Sequence, residues 1–576
     1  MEFHSPAGPL PFIPDNLTVP QFIFDYEHPS RPARNSGIPW LIEDETGRKI
    51  GEQELRRRTH GLATALGSKF HIGEDDVVLI FSRNHVDYPV AIWAVHRLGG
   101  VISGANPDFS SNELLYQLKE TKASVLIVHP DALDTALAAA NDAGLDSDRV
   151  VVFDVTTPTQ VTRKHRTVNE LINEGLSGRE RSYIERTLEP GEGRTKLAFL
   201  SFSSGTTGKP KAVAIPHYSL MANVIQIAAH NKVNEDYCDY KDRRYRPGDV
   251  AIGVLPLYHI YGLVINLHFT LFCAMTLVVV PKFIFIEMLN SIVRHHIAHL
   301  LLVPPQVVLL CKHPAVKNYD LRRSVRCVMS GAAPLSFELN QQLFQLFPDA
   351  QIGQAYGMTE TCTATTMWPI TQKRGASGSG GQLLPGTVAR VVKTDGSLAG
   401  YDEAGELIIK TPSVALGYAN NAEATKETFI DGWVRTGDEV KIDKNCEVWV
   451  LDRLKEIMKV KGFQVAPAEL EGCILDHDDV SSACVVGVPD DYSGEVPMAF
   501  VVLTSDAIRR VEQDPQMAER IKESIVKHVA ENKVAYKHLV GGVEFIGAIP
   551  ISPSGKLLRR ILRDQAKEMR RVKAKL

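Results

Sequence analysis

The sequence predicts an α/β protein, with a large N-terminal domain of parallel-rich sheets covered by helices and a smaller α+β domain at the C-terminus. Its 576 residues exceed what one hydrophobic core can organise, so about two to four structural units are expected. From residue 77 onward, short apolar runs typical of strands alternate with helical patterns. This βαβ order favours a largely parallel sheet with both faces covered. A shorter series of elements follows the charge-rich segment 453–462 and forms the second unit.

The expected elements follow in order along the chain. In the large domain, strands are expected at residues 77–81, 101–103, 125–128, 150–153, 196–202, 251–255, 300–303, 327–329, 351–353, 406–410 and 446–451. Helices are expected there at residues 85–98, 112–121 and 131–142. The smaller unit should contain helices at 467–475 and 517–530 and strands at 482–486, 498–504 and 543–546. The predicted boundary separates residues 1–453 from residues 454–576.

One mostly apolar segment, residues 263–280, is long enough to span a membrane. Polar side chains interrupt it at Asn266, His268, Thr270 and Thr276, and it runs into Pro281 through a β-branched end. These interruptions predict a buried helix followed by a strand, and no transmembrane segment.

The composition excludes several classes of partner. A hydrophobic content of 44% with 23% charged residues is ordinary for a globular protein. The net charge of -4 argues against nucleic acid or an anionic membrane as the main partner. The eight cysteines form no C-x-x-C pair, which indicates free thiols and neither a zinc site nor a disulfide framework.

A loop rich in glycine and hydroxyl groups follows the strand at 196–202. Its glycines let a backbone approach phosphate oxygens, its hydroxyls donate hydrogen bonds and its lysines bring positive charge. A Walker A loop is excluded, because only two residues separate Gly205 from Gly208 and Pro210 follows Lys209. A flexible surface loop remains the alternative on composition alone. The candidate phosphate-binding residues are Ser203, Ser204, Gly205, Thr206, Thr207, Gly208 and Lys211.

Residues 203–211, Ser-Ser-Gly-Thr-Thr-Gly-Lys-Pro-Lys, resemble the signature loop of the AMP-forming adenylating enzymes. That superfamily includes acyl- and aryl-CoA synthetases, coumarate-CoA ligases and beetle luciferases, and the resemblance extends from about residue 39 to residue 556. It implies that a carboxylate attacks the α-phosphorus of ATP and that a thiol then attacks the acyl-AMP. The implied cofactors are ATP, Mg²⁺ and coenzyme A. The resemblance also implies a mobile C-terminal lid domain that follows the adenylation domain.

The resemblance assigns further residues to the ATP site. Within the segment 354–360, which reads Gln-Ala-Tyr-Gly-Met-Thr-Glu, Tyr356 is expected to lie against adenine, Thr359 to donate to the α-phosphate and Glu360 to bind Mg²⁺. Asp438 and Arg453 match the residues that bind the ribose hydroxyls. The other matching positions are Gly331, Ala332, Ala333 and Pro334 in the turn at the adenine pocket, together with Gln354 and Gly357.

Two lysines are expected to serve the two half-reactions. Lys556, in a P-x-x-x-x-G-K segment, matches the lysine that bridges the acyl carboxylate and the α-phosphate. Lys455 matches the hinge, and Lys459 lies on the face presented for thioester formation. The start of that second face is expected at Lys461, Gly462 and Gln464.

Residues 461–471, Lys-Gly-Phe-Gln-Val-Ala-Pro-Ala-Glu-Leu-Glu, and the run His259-Ile260-Tyr261 are characteristic of the coumarate-CoA ligases, so the resemblance is greatest to that branch of the family. His259 is expected to orient the acyl carboxylate, and the other acyl-pocket residues are expected to be Tyr261, Met329, Gly331 and Gly357. Plant coumarate ligases often have a lysine where this chain has Met329, so an acid without a para-hydroxyl is favoured. An aryl acid, such as phenylacetate or cinnamate, and a medium-chain fatty acid both remain open.

Other functions within and outside this class remain as alternatives. The acyl-adenylate could be passed to an acceptor other than coenzyme A, as in a luciferase or a carrier-protein loader. The chain could also bind adenylate without catalysis.

At the C-terminus, Ala574, Lys575 and Leu576 resemble the Ser-Lys-Leu address and predict recognition by the peroxisomal import receptor. Without import the protein would be cytoplasmic.

Overall fold

The computed structural model describes residues 1–155, 164–179, 182–203, 210–335, 337–454, 456–460, 463–490, 493–551 and 557–573. Its strands are β1 Glu2–His4, β2 Leu41–Glu43, β3 Lys49–Ile50, β4 Val77–Phe81, β5 Val101–Ala105, β6 Val125–Val128, β7 Val150–Val152, β8 Leu197–Ser203, β9 Lys211–Pro216, β10 Val250–Gly253, β11 Thr276–Val279, β12 His299–Leu302, β13 Cys327–Ser330, β14 Gln351–Met358, β15 Thr363–Met367, β16 Gln382–Leu383, β17 Val388–Val392, β18 Gly405–Lys410, β19 Gly417–Tyr418, β20 Phe429–Ile430, β21 Trp433–Ile442, β22 Val448–Arg453, β23 Met458–Val460, β24 Phe463–Val465, β25 Val480–Asp490, β26 Gly494–Leu503 and β27 Gly542–Phe545.

The helices are α1 Val19–Phe24, α2 Glu52–Phe70, α3 Tyr88–Arg97, α4 Ser111–Thr121, α5 Leu133–Ala143, α6 Val168–Leu176, α7 His217–His230, α8 Thr270–Phe272, α9 Phe285–Arg294, α10 Pro304–Lys312, α11 Phe337–Leu346, α12 Ala422–Thr428, α13 Pro467–Leu475, α14 Ser505–Gln513, α15 Gln516–Asn532 and α16 Arg559–Lys573. Local sequence sets some of their ends. Helix α4, for example, begins after Ser110, whose hydroxyl and backbone exchange hydrogen bonds with Glu113 in a capping box.

Two sheets with parallel centres form the large domain. One has the strand order β16-β15-β14-β13-β12-β10-β11-β2-β3, and the other has the order β19-β9-β8-β5-β4-β6-β7. In both sheets the central neighbours are parallel. Antiparallel pairs occur at both edges of the first sheet and at the β19-β9-β8 edge of the second, whereas the other edge strand, β7, is parallel to β6. Every residue of β6 is buried, and β4 is buried except at its first residue, as expected for strands covered on both faces. The prediction of a parallel-rich α/β domain is therefore confirmed.

Two further sheets differ in their pairing. The third sheet is antiparallel, has six strands and contains β1, β17, β18, β20, β21 and β22. The sequence indicated two of its strands, at 406–410 and 446–451, but did not predict a separate antiparallel sheet. The fourth sheet contains β23 to β27 and, with α13 to α16, forms the smaller C-terminal unit. Its first strand begins at Met458; the predicted boundary after residue 453 stays a prediction.

The apolar segment 263–280 is buried within the large domain. Gly262–Phe269 forms a π-helix that continues into α8 and then β11, so the predicted helix and strand are present and the helix has an unexpected type. Its polar side chains bond to nearby backbone, since Asn266 Nδ2 donates to the Ile252 carbonyl at 2.7 Å and Thr270 Oγ1 donates to the Ile265 carbonyl. Among the described residues, no helix is both long and apolar enough to cross a bilayer.

A buried ion pair lies at the amino ends of the parallel strands in the first sheet. His299 at the start of β12 donates through Nε2 to Asp249 Oδ2 at 3.0 Å, and Arg246 and Arg326 also contact this carboxylate. Burial opposes the charge on both groups. The hydrogen bond nevertheless raises the pKa of His299 to about 9, and the three cationic neighbours lower the pKa of Asp249 to about 2.

The raised pKa of His299 predicts an alkaline loss of stability. Its stabilising contribution is complete below the unfolded pKa of about 6.5 and is lost as the pH rises through about 9. We expect His299→Gln to remove roughly 3 kcal/mol of pH dependence from the free energy of unfolding over this range. Chemical denaturation at a series of pH values measures it, with the exposed His4→Gln as the control. Parallel stability curves for the wild type and His299→Gln would contradict an ionised His299.

Candidate active site

The predicted phosphate loop connects the antiparallel strands β8 and β9. In this hairpin Ser203 pairs with Lys211 across the two strands, so the first and last residues of the loop face each other. Tyr116 fixes the second end of the loop by donating its hydroxyl to the Pro210 carbonyl at 2.9 Å. The intervening candidates, Ser204, Gly205, Thr206, Thr207 and Gly208, lie outside the described residues.

Glu360 lies directly against the start of this loop. It is only 5% exposed and sits with Thr359, also buried, in the 3₁₀ turn Thr359–Thr361 that follows β14. Ser203 Oγ donates to Glu360 Oε1 at 3.0 Å, and the hydroxyl of Tyr418 donates to the same oxygen at 2.8 Å. The structure therefore joins two predicted site residues that are 157 positions apart in the sequence.

The strand that leads to Glu360 bends at Gly357. The register of β14 against β15 shifts between Tyr356 and Gly357, and a Cβ atom at Gly357 would lie 1.6 Å from the Thr363 carbonyl oxygen. Only glycine permits this approach. The sequence ended this strand at residue 353, whereas β14 continues to Met358, so Tyr356 and Gly357 belong to a strand.

A second polar group surrounds Asp438. Its Oδ2 accepts the hydroxyl of Tyr356 at 2.7 Å, and its Oδ1 lies 3.2 Å from Nε of Arg453, its partner across β21 and β22. Burial and the adjacent Asp438 carboxylate raise the pKa of Tyr356, so its hydroxyl remains a proton donor at neutral pH. The predicted ribose-binding pair and the predicted adenine-binding tyrosine are thus in contact.

The predicted adenine-pocket turn, residues 331–334, follows β13 beside these groups. Ser330 pairs with Gln354 across β13 and β14, and Gln354 Oε1 accepts the Leu335 backbone N–H at 2.9 Å. Gln354 thereby holds the end of the turn. Ala332 adopts a left-handed conformation with φ of 69°, which reverses the chain.

Three of the predicted acyl-pocket residues are neighbours. A Cβ atom at Gly331 would lie 3.0 Å from the ring of Tyr261, whose hydroxyl is 3.5 Å from the Met329 carbonyl oxygen. His259 is half-buried and accepts the Tyr261 backbone N–H through Nδ1 at 3.3 Å. The side chain of Met329 is completely buried in β13, so substrate would contact it only if neighbouring side chains moved.

Of the predicted lysines in the C-terminal unit, only Lys459 lies within the described residues. Lys459 is exposed on β23, where its backbone N–H donates to Glu495 Oε2 at 2.9 Å. No contact between it and Glu360 or Asp438 is found in the described part of the chain. Gln464 lies on β24 opposite Lys459. Lys455, Lys461, Gly462, Lys556, Ala574, Lys575 and Leu576 are outside the described residues.

Sequence reasoning missed Tyr418. The two-residue strand β19 that contains it is too short to give a periodic pattern, and its contact with Glu360 depends on pairing between distant strands.

Across the described residues, no group of three His, Cys, Asp or Glu side chains could hold a metal ion. The cysteines are all free, as the sequence predicted.

Comparisons with known proteins agree over almost the whole chain. The family model for AMP-binding enzymes matches residues 26–419, and the model for the C-terminal domain of AMP-binding enzymes matches residues 469–556. The chain is 34% identical to 4-coumarate–CoA ligase 3 of Arabidopsis thaliana, over 97% of this chain and 95% of that protein. It is also 34% identical to the acyl-CoA ligase AFT1-1 of Alternaria alternata, over 100% and 99%. The ATP-bound structure of MatB from Rhodopseudomonas palustris has a TM-score of 0.79 and 25% identity, and the match covers 96% of this chain and 99% of MatB.

Proposed function

This chain belongs to the family of AMP-binding enzymes and is an AMP-forming acid–thiol ligase; we propose that it joins an aryl or medium-chain carboxylic acid to coenzyme A. The acid's carboxylate oxygen attacks the α-phosphorus of ATP and pyrophosphate leaves. The thiol sulfur of coenzyme A then attacks the acyl carbon of the acyl-AMP. The C–S bond of the thioester forms as the acyl C–O bond to the phosphate breaks, AMP leaves with that oxygen, and the thiol proton passes to solvent.

The observation that supports this function best is the contact between Ser203 and Glu360. One residue begins a loop suited to phosphate, and the other presents a buried carboxylate beside it. Phosphoryl chemistry of this kind depends on positioning and on neutralising charge, with little covalent work for the protein. Ser203 and Lys211 would contact phosphate oxygens, and Asp438 with Arg453 would hold the ribose at the other end of the nucleotide.

We propose Mg²⁺ as the ion that accompanies ATP. Glu360 would hold it, because Mg²⁺ prefers oxygen ligands and commonly binds through one or two carboxylates together with substrate phosphates. Ser203 and Tyr418 both donate to Oε1, and no donor among the described residues is placed on Oε2. The ion would neutralise phosphate charge as pyrophosphate leaves. Glu360 would fix its position relative to the phosphate loop.

For the acid, we propose a hydrophobic tail without a para-hydroxyl. Met329, which substrate would contact only if neighbouring side chains moved, offers no hydrogen-bond partner of the kind a lysine would supply, and Tyr261 covers Gly331 with its ring. A site without such a partner would leave a buried phenolic hydroxyl unsatisfied, at a cost of about 1 to 3 kcal/mol. Phenylacetate, cinnamate and medium-chain fatty acids fit this description.

A thiol-consumption assay over a panel of acids tests the proposed function. We expect loss of free coenzyme A thiol, dependent on ATP and acid, with cinnamate preferred over 4-coumarate by about tenfold. Pyrophosphate release without thiol loss would instead support another acyl acceptor. Nucleotide binding without acid-dependent pyrophosphate release would support a non-catalytic adenylate-binding protein. A preference for 4-coumarate would contradict the proposed acyl pocket.

The two lysines should separate the half-reactions. We expect Lys556→Ala to lower the rate of adenylation about 10²- to 10³-fold, because it removes a charge that stabilises the developing negative charge. It should spare thioester formation from supplied acyl-AMP. Lys459→Ala should slow thioester formation and spare adenylation, since its side chain is exposed on β23 and makes no described contact with Glu360.

Single-turnover measurements of each half-reaction check these expectations. Lys527→Ala is the matched control, because Lys527 is a lysine of the same unit with a side chain 76% exposed. Equal losses in both half-reactions for either variant would show that the two lysines do not serve separate steps.

We also propose that the protein is imported into peroxisomes through Ala574, Lys575 and Leu576. The tripeptide has the small, basic and leucine order that the import receptor reads, and activation of a hydrophobic acid suits peroxisomal acyl metabolism. Deleting these residues should move a fluorescently tagged protein from peroxisomes to cytosol and leave ligase activity within about twofold. Peroxisomal location of the truncated protein would contradict this address.

A further inference from the structure

Tyr418 touches two residues at the nucleotide site and has no role in the function proposed so far. Its hydroxyl donates to Glu360 Oε1 at 2.8 Å, on the oxygen that also accepts Ser203 Oγ. The ammonium of Lys211 lies 4.8 Å from the centre of its ring, within the range of a cation–π interaction. One side chain thus contacts both a carboxylate and a lysine of the site.

The backbone holds Tyr418 firmly in this place. Strand β19 pairs with β9, so Tyr418 lies opposite Val213 close to the end of the phosphate loop. The Tyr418 N–H donates to Thr425 Oγ1 at 2.9 Å. At the preceding Gly417, φ is 144° and a Cβ atom would lie 2.6 Å from Thr425 Cγ2, so glycine is required for this close packing. The position of the ring is therefore set by local structure.

The same segment also fixes the backbone of Glu360. The Ala415 N–H donates to the Glu360 carbonyl oxygen at 2.9 Å. On its other side, the ring of Tyr418 packs edge-to-face on Phe429 of β20, with centroids 5.6 Å apart. Burial and the Glu360 carboxylate raise the pKa of Tyr418, so the hydroxyl keeps its proton and remains a donor at neutral pH.

These contacts have two separable consequences. Two hydroxyl donors on Oε1 restrict rotation of the carboxylate and direct Oε2 away from them. The ring holds the Lys211 ammonium at the end of the phosphate loop by its π face, which needs no hydroxyl. Removing the hydroxyl alone therefore affects Glu360, whereas removing the ring affects Glu360 and Lys211 together.

We propose that Tyr418 is a positioning residue for ATP binding: its hydroxyl orients Glu360 toward Mg²⁺, and its ring orients Lys211 toward phosphate. This inference rests on the proposed nucleotide site. It adds a residue that acts through Glu360 and Lys211 and makes no contact with the reacting atoms.

Calorimetric titration of ATP into the full-length protein, without acid or coenzyme A, tests the proposal. At saturating Mg²⁺ the ATP affinity reaches a maximum, and the titrations give the Mg²⁺ concentration at which half of this affinity is reached. Tyr418→Phe should raise this concentration about five- to tenfold, because a hydrogen bond to a carboxylate is lost. Its affinity for ATP in the absence of Mg²⁺ should stay within about twofold. Tyr418→Leu should show the same Mg²⁺ effect and also weaken Mg²⁺-free ATP binding about three- to fivefold, because the cation–π contact is lost.

Two further variants separate positioning from general destabilisation. Tyr319→Phe is the matched control, since Tyr319 also donates one hydroxyl hydrogen bond, to Asn290 Oδ1 at 2.9 Å, in a different region; its Mg²⁺ dependence should equal that of the wild type. In a Glu360→Gln background, Tyr418→Phe should produce no further change in Mg²⁺ dependence.

Three outcomes would overturn the proposal. The first is a Mg²⁺ dependence of ATP binding that is unchanged in Tyr418→Phe, whatever the thermal midpoint of that variant. The second is the same shift in Mg²⁺ dependence for Tyr319→Phe. The third is a full shift when Tyr418→Phe is introduced into the Glu360→Gln background. If Tyr418→Leu fails to fold, Tyr418→Phe decides alone. A wild type that binds no ATP would refute the proposed function as well, whereas a wild type that binds ATP while Tyr418→Phe behaves identically refutes only the role of Tyr418.

Discussion

The candidate site depends on one buried carboxylate. Glu360 is 5% exposed, and a charge removed from water is costly unless polar neighbours compensate it. Its hydrogen bonds come from Ser203 on β8 and Tyr418 on β19, while its own chain position follows β14 of the other large sheet. The compensation of Glu360 therefore requires the two sheets to pack in one arrangement, and the same arrangement brings the end of β8 beside the turn that follows β14.

Close backbone approach provides the second constraint. At Gly357 the chain passes so near the Thr363 carbonyl that no side chain fits, and the register shift between Tyr356 and Gly357 lies at the same point. A bulge of this kind redirects side chains at the end of a strand. Here it accompanies the contact of Tyr356 with Asp438 on the antiparallel sheet, while Glu360, a few residues later, faces the phosphate loop. Strand β14 and the turn that follows it thus contact residues of the two other sheets of the large domain.

The sequence predicted the parts of the fold and the site that depend on residues close together in the chain. It missed the parts that arise when strands far apart in the sequence pair with each other. The apolar run at 77–81 gave its strand with correct bounds because burial on both faces leaves a continuous apolar signal. Ser203, Glu360, Asp438 and Arg453 were assigned to the site through sequence motifs. The structure brings them into contact in two pairs, and their binding roles stay predictions. No motif in the sequence analysis included Tyr418. Its strand has two residues, and its place at the site depends on pairing with β9 and on the contact with Glu360. The antiparallel sheet was missed for the same reason: β1 pairs with β17, almost four hundred positions away.

The C-terminal unit has a core of its own and contacts the large domain through polar groups. Its two apolar clusters consist of residues from Met458 onward, so the unit has its own core. Lys312 of the large domain donates to the carbonyls of Leu475 and Val480 at 2.8 Å and 3.3 Å, and Leu475 also packs on the large core. The Ala468 N–H also donates to Asp452 Oδ2 at 3.3 Å. Hydrogen bonds that involve a charged group contribute about 1.5 to 3 kcal/mol each, so a change in the position of the unit requires water or other partners to replace them. An enzyme with two half-reactions needs different groups at one nucleotide site at different times. Movement of the C-terminal unit that would bring exposed Lys459 to the nucleotide site after adenylation stays a prediction.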